Sequence, residues 1–301
     1  MNDKAPTLPA ARGSLDETPP EAASLRAAQP RAGGAGAAAL SPEGAQSALG
    51  RPGGGSPASV LVSVRTRIKI CGLTREQDVD AAVEAGADAV GFVMYEQSPR
   101  YVSPARAAEL SRRLPPFVTP VLLFVNEDAT KIIAINDQMT RTLLQFHGEE
   151  SPEECRAVAQ AAKSPYLRAA RIPLDGSTPF DLVKFANDYP DAQAILLDAH
   201  VDGYGGGGKT FNWSRIPLNV NAHLVLSGGL TPANVTDGIL QVRPRGKSLA
   251  VDVSSGVEVS APGGGTRKGI KDAQKINQFV AAVRAADAQL AGSNHVPLPT
   301  T

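Results

Sequence analysis

The chain has 301 residues, 42% of them hydrophobic, and its 30 lysines and arginines balance its 30 aspartates and glutamates. This balance excludes a global attraction to nucleic acid or to acidic membranes, so an anionic ligand must be held by a local site. Runs of about 18 apolar residues, the length of a transmembrane helix, do not occur. The two cysteines, Cys71 and Cys155, are too few for a disulfide framework and favour a reducing, cytoplasmic compartment.

The first 64 residues differ in composition from the rest of the chain. They consist mostly of Ala, Gly, Pro and Ser, and the first isoleucine and first aromatic residue come later, at Ile68 and Phe92. A segment with so few large apolar side chains cannot offset the entropy lost on ordering. We therefore predict a disordered leader over 1–64, a folded domain over 65–288 and a loose tail over 289–301. The alternatives for the leader are a targeting or interaction tail, or a true translation start near residues 60–64.

Short β-rich segments alternate with helical ones through the predicted domain. Most are apolar throughout, as expected for parallel strands buried on both faces. The predicted strands span residues 67–70, 89–93, 119–125, 142–146, 166–170, 194–197, 223–226 and 249–253. Eight strand–helix repeats in one domain predict a single (β/α)8 TIM barrel, with a doubly wound open sheet as the alternative.

Helix signals fall between these strands. The last helix has one apolar stripe at i, i+3, i+4 and i+7. Two Ser/Thr–Glu/Gln pairs predict capping boxes, and three Ser/Thr–Pro pairs predict an N-cap followed by proline at the first helical position. The stripe is Ile276, Phe279, Val280 and Val283; the boxes are Thr74 with Gln77 and Ser151 with Glu154; the Pro pairs begin at Ser103, Ser151 and Thr231.

Reactive side chains follow most of the strands, at the end where barrel enzymes place their active sites. Cys71 follows the first strand, Arg100 lies in the loop after the second, and Asp198 ends the sixth. A thiol in this position can serve as a base if nearby cations, such as Lys69 or Arg75, lower its pKa. An acid directly after a buried strand must reach the mouth of the barrel, where it can donate a proton. We therefore predict Cys71 and Asp198 as an acid–base pair.

The loops after the last two strands are small and rich in glycine. One contains Ser227, Gly228 and Gly229, and the other contains Ser254, Ser255 and Gly256. Their backbone N–H groups, with a short helix beginning near Ser254 or Ser255, form the usual phosphate site of such barrels. The sequence therefore predicts a small, phosphorylated substrate, although the glycines also suit plain tight turns.

Three further reactive residues have no predicted catalytic role. His147 follows the fourth strand. Asp252 lies at the end of the eighth, where Ser254, Ser255 and nearby N–H groups are able to satisfy it. Cys155 lies within a predicted helix, in SPEECRAV, and is expected to be a buried core residue.

The segment 203–210, GYGGGGKT, fits the phosphate-binding pattern GxxxxGK[ST] of nucleotide hydrolases. That pattern is diagnostic only where it joins a strand directly to a helix. Here Asp198 and the residues up to Asp202 intervene, and Pro217 interrupts any following helix. We interpret the segment as a glycine-rich lid over the sixth strand.

The chain resembles the phosphoribosylanthranilate isomerase family over about residues 66–285. The resemblance rests on KICGLT (69–74), GADAVGFV (86–93), SPRYV (98–102), LQFHGEE (144–150), LLD (196–198), GGGGKTFNW (205–213), LSGGLTPANV (226–235) and VDVSSGVE (251–258). Gly207 and Asn212 replace the threonine and aspartate that are usual in the family's lid, and LQFHG replaces the commoner LQLHG.

The resemblance implies an Amadori rearrangement in tryptophan biosynthesis that needs no cofactor and no metal. Asp198 would be the general acid, Cys71 the general base, and Arg100 the partner of the anthranilate carboxylate. The resemblance also implies a small phosphorylated substrate as the sole partner, and we expect a monomer. The alternatives are the histidine-pathway sugar isomerase, which would have an aspartate where Cys71 stands, a nucleotide hydrolase, and a non-catalytic phosphate-ligand sensor.

Overall fold

A computed structural model describes residues 65–174, 179–200 and 210–293. Its parallel strands form a closed barrel in chain order, because β1 pairs with both β2 and β8. The strands are β1 (Arg67–Cys71), β2 (Ala89–Val93), β3 (Thr119–Phe124), β4 (Leu143–Phe146), β5 (Tyr166–Pro173), β6 (Ala194–His200), β7 (His223–Leu226) and β8 (Ser248–Val253). The predicted barrel is confirmed, and the open sheet is excluded.

Helices connect the strands over most of the described residues. They are α1 (Glu76–Glu84), α2 (Pro104–Ser111), α3 (Ala129–Asn136), α4 (Pro152–Ala161), α5 (Leu182–Asp188), α6 (Val235–Val242) and α7 (Ala273–Ser293). In the described part of the β6–β7 connection, a single 3-10 turn (Trp213–Arg215) replaces the expected α-helix. After β8, a 3-10 turn (Ser255–Val257) leads into an unpredicted antiparallel hairpin of β9 (Glu258–Ser260) and β10 (Thr266–Lys271).

The helix starts test the capping predictions. Ser103 and Ser151 cap α2 and α4 as predicted, and Ser151 forms the complete capping box with Glu154. The box at Thr74 is wrong, because the Thr74 hydroxyl donates to the Gly269 carbonyl (2.6 Å) and α1 begins after Arg75. The Thr231 cap is also wrong, because Pro232 lies in a turn and α6 begins only at Val235.

The C-terminal helix α7 packs against α1 and α6 on the outside of the barrel. Its predicted stripe is buried, with Ile276, Phe279 and Val283 fully inaccessible. The helix continues to Ser293, so the predicted domain end at residue 288 falls inside it. The leader and residues 294–301 lie outside the described residues. No helix in the described part of the chain has the length and hydropathy needed to cross a membrane.

Alternation along the strands separates two apolar clusters. One side of each strand packs against the helices, as Ile68 and Ile70 do on β1. The other side points into the barrel, where Val121, Leu167 and Leu196 belong to a smaller interior cluster. Because the side-chain period of a strand is two, residues farther along the same side also face the interior, closer to its C-terminal end.

Candidate active site

Polar side chains replace apolar ones in the interior layer nearest the C-terminal end of the barrel. Asp198 follows Leu196 by two residues and Asp252 follows Ala250 by two, so both continue the interior side of their strands. All of these polar residues are at most 5% exposed: Lys69, Cys71, Gln145, His147, Asp198 and Asp252. A cavity opens above them. Its lining includes Cys71, Arg100, Gln145, His147, Asp252 and Ser254.

The Cys71 thiol lies beside a buried ion pair. Lys69 Nζ donates to Asp252 Oδ1 at 2.9 Å, and both side chains are almost fully buried. Burial raises the pKa of Cys71, and Asp252 adds to that rise, while Lys69 and Lys271 oppose it. Lys69 is thus one of the predicted neighbouring cations, but Arg75 instead pairs with Asp78. The two lysines reduce the rise in the pKa of Cys71 but do not reverse it.

Asp198 forms the end of a hydrogen-bonded chain on the opposite side of the barrel. Gln145 Nε2 lies 2.9 Å from His147 Nδ1, and His147 Nε2 lies 2.9 Å from Asp198 Oδ2. An amide nitrogen can only donate, so Nδ1 accepts and Nε2 carries the ring proton toward Asp198. The Ala199 N–H donates to Asp198 Oδ1 at 3.0 Å. The carboxylate therefore has fixed donors on both oxygens.

Arg100 enters the cavity from the loop after β2 and pairs with Glu258. Its Nε and Nη2 donate to Oε1 and Oε2 at 2.7 and 3.1 Å. Gly72 makes room for this side chain, because its φ is +74° and a Cβ there would lie 2.6 Å from Arg100 Cδ. Hydrogen bonds and charge from Arg100 and Lys271 outweigh the effect of burial and lower the pKa of Glu258 to about 2. A glutamate that is ionised at neutral pH therefore lies directly behind the predicted carboxylate site.

The two glycine-rich loops lie close together at the ends of β7 and β8. A Cβ on Gly256 would collide with the Leu230 carbonyl, and Gly228 has a φ of +75° with Ala199 N at 2.5 Å from a Cβ position. Ser227 Oγ reaches Asp252 Oδ2 at 3.3 Å. Asp252 is thus satisfied by Lys69 and Ser227 rather than by the serines predicted for it.

The predicted site residues therefore divide into two sets. Cys71, Arg100 and Ser254 line one cavity, and Asp198 joins it through His147. Ser227 is linked to it through Asp252, whereas Gly228, Gly229, Ser255 and Gly256 shape the adjoining loops. Residues 203–209 of the proposed lid (203–210), with Gly207 among them, lie outside the described residues, and Thr210 is exposed. Asn212 is described, and its side chain accepts from Ser214 N at 3.1 Å at the start of the 3-10 turn.

Sequence reasoning missed four groups of this site: Gln145, the Lys69–Asp252 pair, Glu258 and Lys271. Gln145 has a detectable signal, because it is the only polar residue of LLQF and lies two residues before His147. The pairing of Glu258 with Lys271 has no comparable signal in the sequence, because the two residues come together only through the β9–β10 hairpin. Cys155 is fully buried in α4, and burial raises its pKa to about 12, in agreement with a core role.

Comparisons with known proteins point to one family. The model of the family described as N-(5'-phosphoribosyl)anthranilate (PRA) isomerase matches residues 68–282. The N-(5'-phosphoribosyl)anthranilate isomerase of Methylibium petroleiphilum is 59% identical over 231 residues, which cover 76% of this chain and 99% of that protein. The enzyme of the same name from Leptothrix cholodnii is 58% identical over 230 residues, covering 76% and 96%.

Solved structures give the same result. The phosphoribosyl anthranilate isomerase of Thermotoga maritima is 42% identical, with a TM-score of 0.63 over 73% of this chain and 99% of that one. Another isomerase structure, solved in complex with reduced 1-(o-carboxyphenylamino)-1-deoxyribulose 5-phosphate, is 39% identical with a TM-score of 0.60 over the same shares.

Proposed function

Since this chain belongs to the N-(5'-phosphoribosyl)anthranilate isomerase family, we propose that Cys71 and Asp198 are the base and the acid of its reaction. The enzyme converts N-(5'-phosphoribosyl)anthranilate to 1-(2-carboxyphenylamino)-1-deoxyribulose 5-phosphate, a step of tryptophan biosynthesis. The observation that carries the residue assignment is one cavity lined by Cys71 and by His147, whose ring bonds Asp198.

The first chemical step opens the ribose ring. Protonated Asp198 gives its proton to the ring oxygen as the C1'–O bond breaks, and the nitrogen lone pair forms the C1'=N bond of a Schiff base. The departing proton leaves a carboxylate on Asp198. The Nε2–H of His147, 2.9 Å away, stabilises that carboxylate and so favours the transfer.

The second step moves a proton from carbon. The Cys71 thiolate takes the proton from C2', and the electron pair shifts toward the positively charged nitrogen to give an enolamine. Tautomerisation of the enolamine then gives the ketone. Because burial raises the pKa of Cys71, the neighbouring ammonium groups of Lys69 and Lys271 are needed to stabilise the thiolate.

Substrate binding uses the remaining site residues. Arg100 binds the anthranilate carboxylate, and backbone N–H groups around Ser227, Gly228 and Gly229 and around Ser254, Ser255 and Gly256 bind the phosphate. The closeness of the two loops, which a side chain on Gly256 would disrupt, supports a shared anion site. The 3-10 turn at Ser255 is too short for a helix dipole to contribute much, so individual N–H groups carry the binding.

A fluorescence assay of phosphoribosylanthranilate consumption tests the assignment. Cys71→Ser and Asp198→Asn should each lower kcat at least about a hundredfold, while the Kd of the reduced product analogue changes much less. Cys155→Ala is the matched cysteine control and should keep kcat. Near-normal kcat in Cys71→Ser would show that another residue is the base, and binding without turnover in the wild type would favour the sensor alternative.

Cytoplasmic location and a monomeric state complete the proposal. Both cysteines are buried and form no disulfide with each other, which supports the first. Two observations oppose the second: Phe117 is 97% exposed beside Pro115 and Pro116, and a Thermotoga maritima relative is described as dimeric. Sedimentation of the purified protein tests the monomer. A dimer that Phe117→Ser dissociates would refute it and would locate the interface.

A further inference from the structure

A buried lysine lies behind the Arg100 site. Lys271, the last residue of β10, has a fully buried side chain, and its Nζ lies 3.4 Å from Glu258 Oε1. The same carboxylate accepts from Arg100 and from the hydroxyl of Thr266, at 2.7 Å for both contacts. Arg100, Glu258 and Lys271 therefore form one buried cluster, although they come from three different parts of the chain.

The charges of this cluster do not cancel. Arg100 and Glu258 form a bidentate pair that is neutral as a whole, and a neutral pair attracts an anion only weakly. Lys271 adds a second cation, so two positive groups face one carboxylate. Nη1 of Arg100 has no hydrogen bond to any described residue and stays available for an incoming anion. Lys271 thus leaves the cluster with a net positive charge beside a free donor.

Lys271 also contacts the loop that follows β8. Its Nζ donates to the Ser254 carbonyl at 2.9 Å and lies 3.3 Å from Ser254 Oγ. Ser254 lines the cavity and begins the second of the two glycine-rich loops. One ammonium group therefore bonds both the glutamate behind Arg100 and the backbone of the phosphate loop.

We propose that Lys271 is the positioning residue that makes this site selective for a doubly anionic ligand. Its charge keeps the Arg100–Glu258 pair attractive to a carboxylate, and its bond to Ser254 holds the phosphate loop in register with that pair. The inference rests on the proposed function, since it assumes that one ligand carries both anions. It adds a residue from the unpredicted β9–β10 hairpin to the site.

A pH dependence follows from the surroundings of Lys271. Burial and the charge of Arg100 together lower the pKa of Lys271 to about 8, against the opposing charge of Glu258. Cys71 is the other titratable group that acts on it; the Asp78 carboxylate bonds only its backbone N–H. A bound ligand with a carboxylate and a phosphate favours the charged form of Lys271, so the complex holds more protons than the free protein. Affinity should therefore be constant below about pH 8 and fall above it.

Titration calorimetry with reduced 1-(o-carboxyphenylamino)-1-deoxyribulose 5-phosphate tests this between about pH 7 and pH 9.5. The wild-type Kd should rise by up to tenfold per pH unit above about 8. Lys271→Arg stays charged and should bind with a constant Kd. Lys271→Met should bind about tenfold or more weakly at pH 7 and lose the pH dependence. Lys268→Met, which removes an exposed charge from the same strand, should match the wild type.

Two results would overturn the proposal. The first is a wild-type Kd that does not change with pH over this range, which overturns the proposal whether or not the variants fold. The second is a Lys271→Met protein that binds the analogue with the affinity of the wild type. Cys71→Ala must keep the pH dependence, because its loss there would assign the titration to the thiol. Failure of the proposed function is distinct: the wild type would then bind the analogue in a Lys271-dependent way without consuming phosphoribosylanthranilate.

Discussion

His147 offers the sharpest test of how the acid works. Its Nε2 lies 2.9 Å from Asp198 Oδ2, its Nδ1 accepts from Gln145, and the imidazole is 5% exposed. When Asp198 releases its proton to the sugar, a buried carboxylate forms, and the His147 N–H is its strongest neutral donor. Replacing His147 by Ala removes that donor without touching the groups proposed to bind carboxylate and phosphate.

The expected loss follows from the hydrogen bond. A bond to a charged group contributes about 1.5–3 kcal/mol, so His147→Ala should lower kcat roughly tenfold to a hundredfold. KM should change by less than about threefold, since the bond strengthens only as the carboxylate forms. His147→Gln presents an amide N–H at a similar reach and should recover much of kcat. The fluorescence assay of phosphoribosylanthranilate consumption gives both constants.

A second histidine provides the control. His223 is exposed at the N-terminal end of β7, where its Nδ1 lies 2.7 Å from Ser248 Oγ, so His223→Ala should leave kcat unchanged. If His147→Ala keeps kcat within about twofold of the wild type, Asp198 does not depend on this donor. A loss in His147→Gln equal to that in His147→Ala would also refute the reasoning, because the retained donor would then have no effect.

Three further predictions concern other parts of the chain. The kcat of the wild type should increase with pH between about 6 and 8, because burial raises the pKa of the Cys71 thiol, the thiolate is the active form, and Lys271 still carries its charge over this range; a kcat that is flat over this range would contradict this. Arg100→Ala should weaken substrate binding by roughly 1.5–3 kcal/mol, measured as KM, and an unchanged KM would remove Arg100 from the carboxylate site. A chain shortened to begin at Arg65 should fold and keep full kcat, and loss of most activity would show that residues 1–64 are functional.

Local patterns were enough to locate the elements of the barrel. The predicted strands 89–93 and 223–226 agree with β2 and β7 to the residue. Apolar runs identify buried strands, because parallel strands are covered on both faces. The caps at Ser103 and Ser151 were also predictable, because each cap and its partner are only three residues apart in the sequence. The cap predicted at Thr74 is wrong because α1 has Arg75 as its N-cap, and the Thr74 hydroxyl instead donates to the carbonyl of Gly269, a residue far along the chain.

Local sequence patterns are enough to indicate which residue types reach the mouth of the barrel. Cys71 is the last residue of β1, Asp198 lies near the end of β6, and the two glycine-rich loops follow β7 and β8. A barrel gathers all C-terminal strand ends on one side. How these groups are charged and oriented, by contrast, depends on contacts that form only in the folded barrel. Three pairs of this site come from different parts of the fold. Lys69 and Asp252 join β1 to β8, Gln145 and His147 lie at the end of β4, and Glu258 and Lys271 lie on the two strands of the β9–β10 hairpin. A pKa and a hydrogen-bond direction depend on distance and burial, which are properties of the folded barrel.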